Sequence, residues 1–196
     1  AYAFVVGCSK NNTTENRLAE EFTLHQDIIQ GTFIDDYRNI SLKVFTAFKW
    51  IHLYCHTPEY VLKIDDNDVF FNIFGLLDRL PKLLSPGSMG LACHTYVYPE
   101  GQVFRDGRWA VGKENYAPDH YPVYCAGSGY LMTKHVAEEL YRLAIQTTQY
   151  IWIEDVYFTG ILVNSSSHKI HFNSPAHYFA HYYNANSGLL NSLHSQ

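Results

Sequence analysis

Short apolar runs of strand length alternate along this chain with longer stretches whose apolar residues recur at helical spacing. That alternation narrows the fold more than any other feature. The opening AYAFVVG reads as a buried strand that begins abruptly, as in a piece of a longer chain. TTENRLAEEFTLH reads as a short helix with threonine at its N-cap, and DIIQGTFID carries an extended segment. ISLKVFTAFKWIHLYCH sets Leu42, Phe45, Phe48, Ile51 and, with drift, Tyr54 along one face of a buried helix. EYVLKI is then a strand, FNIFGLLDRL a helix interrupted at Pro81, and SMGLACHTYVY another strand. PEGQVFRDGRW reads as a hairpin or loop, and KHVAEELYRLAIQ as an amphipathic helix with Val136, Leu140 and Leu143/Ala144 on one face. EDVYFTGILVN is a further helix and HKIHFN a late strand. Strands alternating with helices predict an α/β domain with a largely parallel central sheet. With 196 residues, 47% of them hydrophobic, one well-buried core is expected over 1–196 and two would be cramped.

Composition excludes some partners. A net charge of −5 gives no electrostatic footprint for nucleic acid, and no basic run points to an anionic membrane. No apolar stretch approaches the ~20 residues of a spanning helix. The four cysteines, Cys8, Cys55, Cys93 and Cys125, lack the CxxC spacing of a thiolate metal site, leaving either buried thiols or disulfides. Four sequons, at Asn11, Asn12, Asn39 and Asn164, tilt the choice toward the secretory lumen.

The stretch LKIDDNDVFFN ends an apolar strand with Asp65, Asp66 and Asp68. Ligands of open α/β sheets collect beyond the carboxyl ends of strands. Carboxylates gathered there repel one another unless a cation joins them, and a hard divalent ion such as Mn²⁺ or Mg²⁺ suits such oxygen ligands. Taken alone, the cluster reads more readily as a solvated turn with an Asx cap that starts the next helix at Asn72. An EF-hand is excluded, because the turning glycine and the closing glutamate are missing.

Five blocks occurring in order resemble the inverting β-1,3-glycosyltransferases, which include the β-1,3-galactosyltransferases and, more distantly, the fringe enzymes. They are DIIQGTFIDDYRNISLK, WIHLYC, YVLKIDDNDVFFN, RWAVGKENYAPDHYPVYCAGSGYLMT and EDVYFTGIL, within roughly residues 1 to 163. The corresponding family patterns are D-I-I-x-x-x-F-x-D-x-Y-x-N-L-T-x-K, W-x-x-x-C, K-x-D-D-D-V-F, K-W-x-V…Y-P-x-Y-C-x-G-x-G-Y and E-D-V-Y-x-G.

The resemblance implies a GT-A fold, a UDP-sugar donor, a divalent metal and inversion at the anomeric carbon. Galactose is the favoured sugar, with an N-acetylhexosamine as the other candidate, and the acceptor is a glycan on a glycoprotein or glycolipid. The implied setting is the Golgi lumen, in a type II membrane protein whose anchor is absent from this chain. The metal-binding last acid of D-D-D falls on Asp68 in either register of DDND. Read from one side the motif is Asp66-Asn67-Asp68, and from the other Asp65 and Asp66 lead it. Asp66 is expected at the metal and the donor's ribose or phosphates, with Asp65 and Lys63 also on the donor side. Asp155 is implied as the catalytic base and Glu154 as a residue that positions the acceptor, although acids at a helix N-terminus also arise for dipole reasons alone. Trp109, Tyr124, Gly127 and Gly129 are implied near the acceptor, Trp109 being either a stacking platform or core. Enzymes of this fold often set a late histidine against the metal; His177 and His181 are candidates, His181 preferred. Cys55 and Cys125 lie in cysteine-bearing blocks, which suggests a bond between them.

Two departures stand out. The R-x-x-I-R-x-T-W segment that helps enclose the nucleotide has no counterpart before AYAFVVG, and a threonine is inserted before Gly160 relative to E-D-V-Y-x-G. The first leaves open a second reading, a catalytically inactive glycan- or nucleotide-sugar-binding protein of the same fold. A phosphatase reading of DND, with Asp66 as nucleophile, fits poorly because Phe70 stands where threonine or valine is usual.

Overall fold

The structure, a computed structural model, describes residues 1–66, 69–71, 73–96, 100–173 and 179–181, with backbone alone at 69–71 and 179–181. The chain runs β1 (Phe4–Cys8), α1 (Asn12–His25), β2 (Ile28–Ile34), a single 3₁₀ turn (Tyr37–Asn39) and α2 (Ile40–Tyr54). It continues through β3 (Tyr60–Ile64), β4 (Val69–Phe71), α3 (Ile73–Leu83), β5 (Gly90–Tyr96), β6 (Tyr124–Thr133) and α4 (Lys134–Gln146). A π-helix (Val156–Leu162), a short turn (Val163–Ser165), β7 (His171–Asn173) and β8 (Phe179–His181) follow.

The central sheet has the order β3-β6-β5-β7. Side chains alternate across a strand, so each strand serves two layers. Leu91, Cys93, Tyr130 and Met132 face the larger core, where they meet Phe48 of α2, Val136 and Leu140 of α4, and Phe158 and Leu162 of the π-helix. Ala92 and Leu131 face the opposite way and pack with Leu76 of α3 and with Leu84. Helices on both faces of a sheet make the α/β sandwich expected from the alternation. Strand directions are more mixed than expected: β5 and β7 are parallel, as are β1 and β2, whereas β6 runs antiparallel to both of its neighbours.

Several local expectations are corrected. The N-cap of α1 is Asn11, whose side-chain oxygen accepts the Thr13 amide at 2.8 Å. Asparagine outranks threonine as a cap. β1 is not a buried strand, since only Gly7 within it is buried. The chain passes Pro81 without interruption and α3 ends at Leu83. Pro81 sits on the solvent side above the exposed Leu77, where the carbonyl that loses its partner can turn to water. The buried line of α2 is Ser41, Val44 and Phe48, with Phe45 and Ile51 at its margin and Tyr54 exposed. Ser41 turns this face inward by donating to the Ile151 carbonyl at 2.9 Å.

The disulfide joins Cys93 to Cys125, not Cys55 to Cys125. Cys93 and Cys125 approach across the antiparallel β5–β6 pair with Cα atoms 5.6 Å apart, inside the range a disulfide spans. Cys55 is a free thiol at the end of α2, and Cys8 is also free. The bond closes the base of a long loop between β5 and β6. Arg105 organises that loop by donating to the carbonyls of Val111, Tyr116, Ala117 and Pro118. A bridge between Gln102 and His120 ties its two arms together.

Candidate active site

Strand register brings the chemistry together. β3 and β6 pair Lys63 with Tyr130 and Ile64 with Gly129, and the Asp65 amide donates to the Ser128 carbonyl at 3.0 Å. Asp65 therefore leaves the sheet beside Gly127 and Ser128. The Glu154–Asp155 pair starts the π-helix directly across Gly127: a Cβ on that glycine would lie 3.0 Å from Asp155 Oδ2 and 3.3 Å from Glu154 Oε1. A methyl group here would fit only if the two carboxyls gave way by a few tenths of an ångström, so glycine lets them press against bare backbone.

Lys63 is the cation among these acids. Its Nζ lies 2.6 Å from Asp65 Oδ1 and 2.9 Å from Glu154 Oε1, and it donates to the Gly127 carbonyl. The other oxygen of Glu154, Oε2, accepts from the Tyr130 hydroxyl at 2.9 Å. Glu154 is 3% exposed, so this pairing is what keeps a buried carboxylate tolerable. Burial alone would lower the lysine's pKa, but the Glu154 and Asp65 charges outweigh it and hold Lys63 above its usual range. Tyr130 is pushed well up by burial and by Glu154, so it stays a donor. Asp155 accepts the Val156 amide at 2.8 Å. Burial first, and the neighbouring Glu154 charge second, push Asp155 from 3.8 up to about 7. Two adjacent acids are thereby separated in character, one paired with a cation and one poised near neutrality.

A cavity of about 610 Å³ opens over these acids. That volume suits a small-molecule ligand. Asp65, Gly127, Glu154 and Asp155 line it, as do Trp109 and Tyr124. One aromatic group comprises Tyr96, Tyr121 and Tyr124, with Tyr124 centred 5.2 Å from Tyr96 and 6.0 Å from Tyr121. A second is built on Tyr37, which packs 5.5 Å from Trp152 and accepts from Trp109 Nε1 at 3.3 Å. Arg108 lies over the Tyr37 ring at 4.7 Å.

Six of the residues singled out from sequence thus meet in one cavity. Lys63 lies beneath it, and Gly129 is buried within β6 opposite Ile64. Asp66 is exposed just after β3, outside the lining. Asp68 and His177 lie outside the described residues. The backbone of His181 pairs with Val69, alongside the acidic turn. Sequence reasoning missed Tyr37, Tyr96, Tyr121, Arg108 and Trp152 on the cavity wall, and Tyr130 beneath it. Tyr37, Arg108, Tyr121 and Tyr130 all stand inside quoted blocks, so their motif position was the available signal; what Tyr130 does there follows from its cross-strand partner Lys63 and its bond to Glu154.

The π-helix resolves the inserted threonine. Thr159 is fully buried, and its hydroxyl donates to the Asp155 carbonyl at 2.6 Å while accepting the Cys125 amide at 2.8 Å. The wider helix absorbs the extra residue and uses it to lash the acids to β6; such π segments recur at functional sites.

A galactosyltransferase family model matches residues 1–174. The chain is 32% identical over 163 residues to beta-1,3-galactosyltransferase 5 of Homo sapiens, covering 81% of this chain and 50% of that protein. The same enzyme of Pan paniscus matches at 32% over 163 residues, covering 81% and 51%. Beta-1,3-galactosyltransferase 1 of Mus musculus matches at 31% over 160 residues, covering 80% and 48%. The chain spans about half the length of these relatives. An α/β sandwich of GT-A type, a cavity floored by acids from a strand end and a helix start, and a family match over most of the length lead to one assignment: this chain belongs to the galactosyltransferase family.

Proposed function

We propose that the chain transfers galactose from a UDP-sugar to a glycan hydroxyl, forming a β-1,3 linkage with inversion. The observation that carries this reading is Asp155, held at the floor of the cavity with a carboxyl that titrates near 7. A group poised near neutrality is suited to accept a proton. As the acceptor oxygen bonds to the anomeric carbon, its proton passes to Asp155 and the bond from that carbon to UDP breaks. Glu154, locked by Lys63 and Tyr130, fixes where Asp155 stands.

For the metal, among the described residues no three His, Cys, Asp or Glu side chains come together as a ligand set. Asp65 is engaged by Lys63, whereas Asp66 is exposed just beyond β3. An exposed carboxylate at a strand end fits Mn²⁺ or Mg²⁺, which take few protein ligands and leave the rest to phosphates and water. Asp66 and Asp68 would hold the ion, with His181 carried alongside by its pairing to Val69. Bound there, it would neutralise charge on the departing diphosphate. The disulfide and the sequons support a lumenal setting, the Golgi by analogy with the family.

The test is UDP release from a panel of UDP-sugars, with Mn²⁺ and with chelator, for the native chain and Asp155→Asn. Transfer should fall by roughly 10²–10⁴-fold in the variant while UDP binding persists. Full activity in Asp155→Asn overturns the base assignment. Nucleotide or glycan binding without turnover by the native chain would instead mark a binding protein of this fold.

A further inference from the structure

Charge is unevenly spread around the cavity. Asp65, Glu100, Glu154 and Asp155 line it, and among the described residues Arg108 is the one cation in its wall. The Arg108 guanidinium lies 4.7 Å from the centre of the Tyr37 ring and 5.8 Å from that of Trp109. Tyr37 packs in turn on Trp152, and the Arg38 guanidinium lies 4.1 Å from the centre of the Trp152 ring. One aromatic pair thus carries a guanidinium on each of its rings. Trp152 also lines a second, smaller cavity of about 220 Å³ together with Arg38, so its indole is a wall common to both hollows.

Stacking on a ring occupies the face of a guanidinium and leaves the N–H groups along its edge able to bind an anion. Arg38 uses one of them on the Ala110 carbonyl at 3.4 Å. Among the described residues neither Arg38 nor Arg108 forms an ion pair, whereas nearby Arg105 is fully engaged by four loop carbonyls and Asp119. In a chain of net charge −5, two arginines on one aromatic pair without a carboxylate between them call for a partner from outside.

We propose that Arg38 and Arg108 bind an anionic group of the acceptor glycan, a carboxylate or a sulfate, carried on the sugar next to the one attacked. This rests on the transferase reading of Asp155, which fixes where the attacking hydroxyl stands. Trp152 precedes Asp155 by three residues, so a sugar beside the Tyr37–Trp152 pair adjoins the one that meets the base. The guanidinium edge matches the paired oxygens of both anions. Charge also sets the direction: the acids at the floor repel an anion and the arginines attract it, so the acceptor enters with its neutral end toward Asp155.

The test uses UDP-galactose, Mn²⁺ and matched p-nitrophenyl disaccharides. Their terminal sugar is galactose or N-acetylglucosamine, and the second is glucose, glucuronate or glucose 6-sulfate. With the native chain, at least one anionic form should exceed the glucose form roughly 10-fold in kcat/KM, and which one does so tells carboxylate from sulfate. The ratio should shrink in Arg38→Gln and in Arg108→Gln and approach one when both are combined, with UDP affinity unaltered. Equal use of neutral and anionic acceptors by the native chain overturns this assignment and leaves the transferase reading standing. A preference that survives the double substitution also overturns it. So does a loss of UDP affinity at unchanged melting temperature, which would give the arginines to the donor's diphosphate. Saturation-transfer NMR of the same disaccharides needs no turnover. Tighter binding of an anionic form that the substitutions weaken, in a chain that transfers nothing, keeps the arginine site and rejects the transferase reading. A chain that neither binds nor uses any of them rejects both.

Discussion

Lys63 touches Asp65, Glu154 and the Gly127 carbonyl at once, so its removal would strand Glu154 as an uncompensated charge. Lys63→Met is expected to cost about 3–5 kcal/mol, read by denaturant unfolding, and adding Glu154→Gln should recover much of it. Asp155 gives a second expectation, in pH. Its folded value of about 7 lies above the ordinary 3.8, so folding favours the protonated form. The stability this confers is fully present below about pH 4 and is lost as pH rises through about 7. Activity should run the other way, climbing through neutrality as the carboxyl ionises. Glu154→Gln removes the adjacent like charge and should move the acid limb of kcat/KM to lower pH.

At the level of elements, the Cys93–Cys125 bond spans a sequence separation of 32 residues and fastens the loop that carries Tyr121, Trp109 and Arg108. Cys93→Ser with Cys125→Ser should lower stability by roughly 2–4 kcal/mol in a thermal melt and open the loop to proteolysis. The sequence made some of this legible and hid the rest for definite reasons. Helical periodicity located α2 and α4, and the run of apolar residues located β3. The partner of Cys125 depends on which residues of β5 and β6 stand opposite, and a bulge between Cys93 and Thr95 shifts that pairing. The same dependence on register concealed the Lys63–Tyr130 neighbourhood, although both acids they support could be named. The π-helix was hidden because a run such as VYFTGIL, buried all round, has no polar side from which to read its turn.

Across the whole molecule, the sheet separates two tasks. Its β3 edge presents the acidic turn, while the long β5–β6 loop supplies much of the cavity's aromatic wall. The outer surface is where a lumenal history would be written. Asn11, Asn12 and Asn164 are exposed, whereas Asn39 is half-buried and donates to the Ile34 carbonyl at 2.9 Å. Secreted from a eukaryotic host, the chain is expected to carry a glycan at Asn164 and at one of the adjacent Asn11 and Asn12, as peptide mapping after glycosidase treatment would reveal. The disulfide at the foot of the loop has an evolutionary corollary. A segment pinned at both ends by one covalent staple can diverge or be grafted as a cassette, so the aromatic wall it carries can be rebuilt while the acids held by β3, β6 and the π-helix stay as they are.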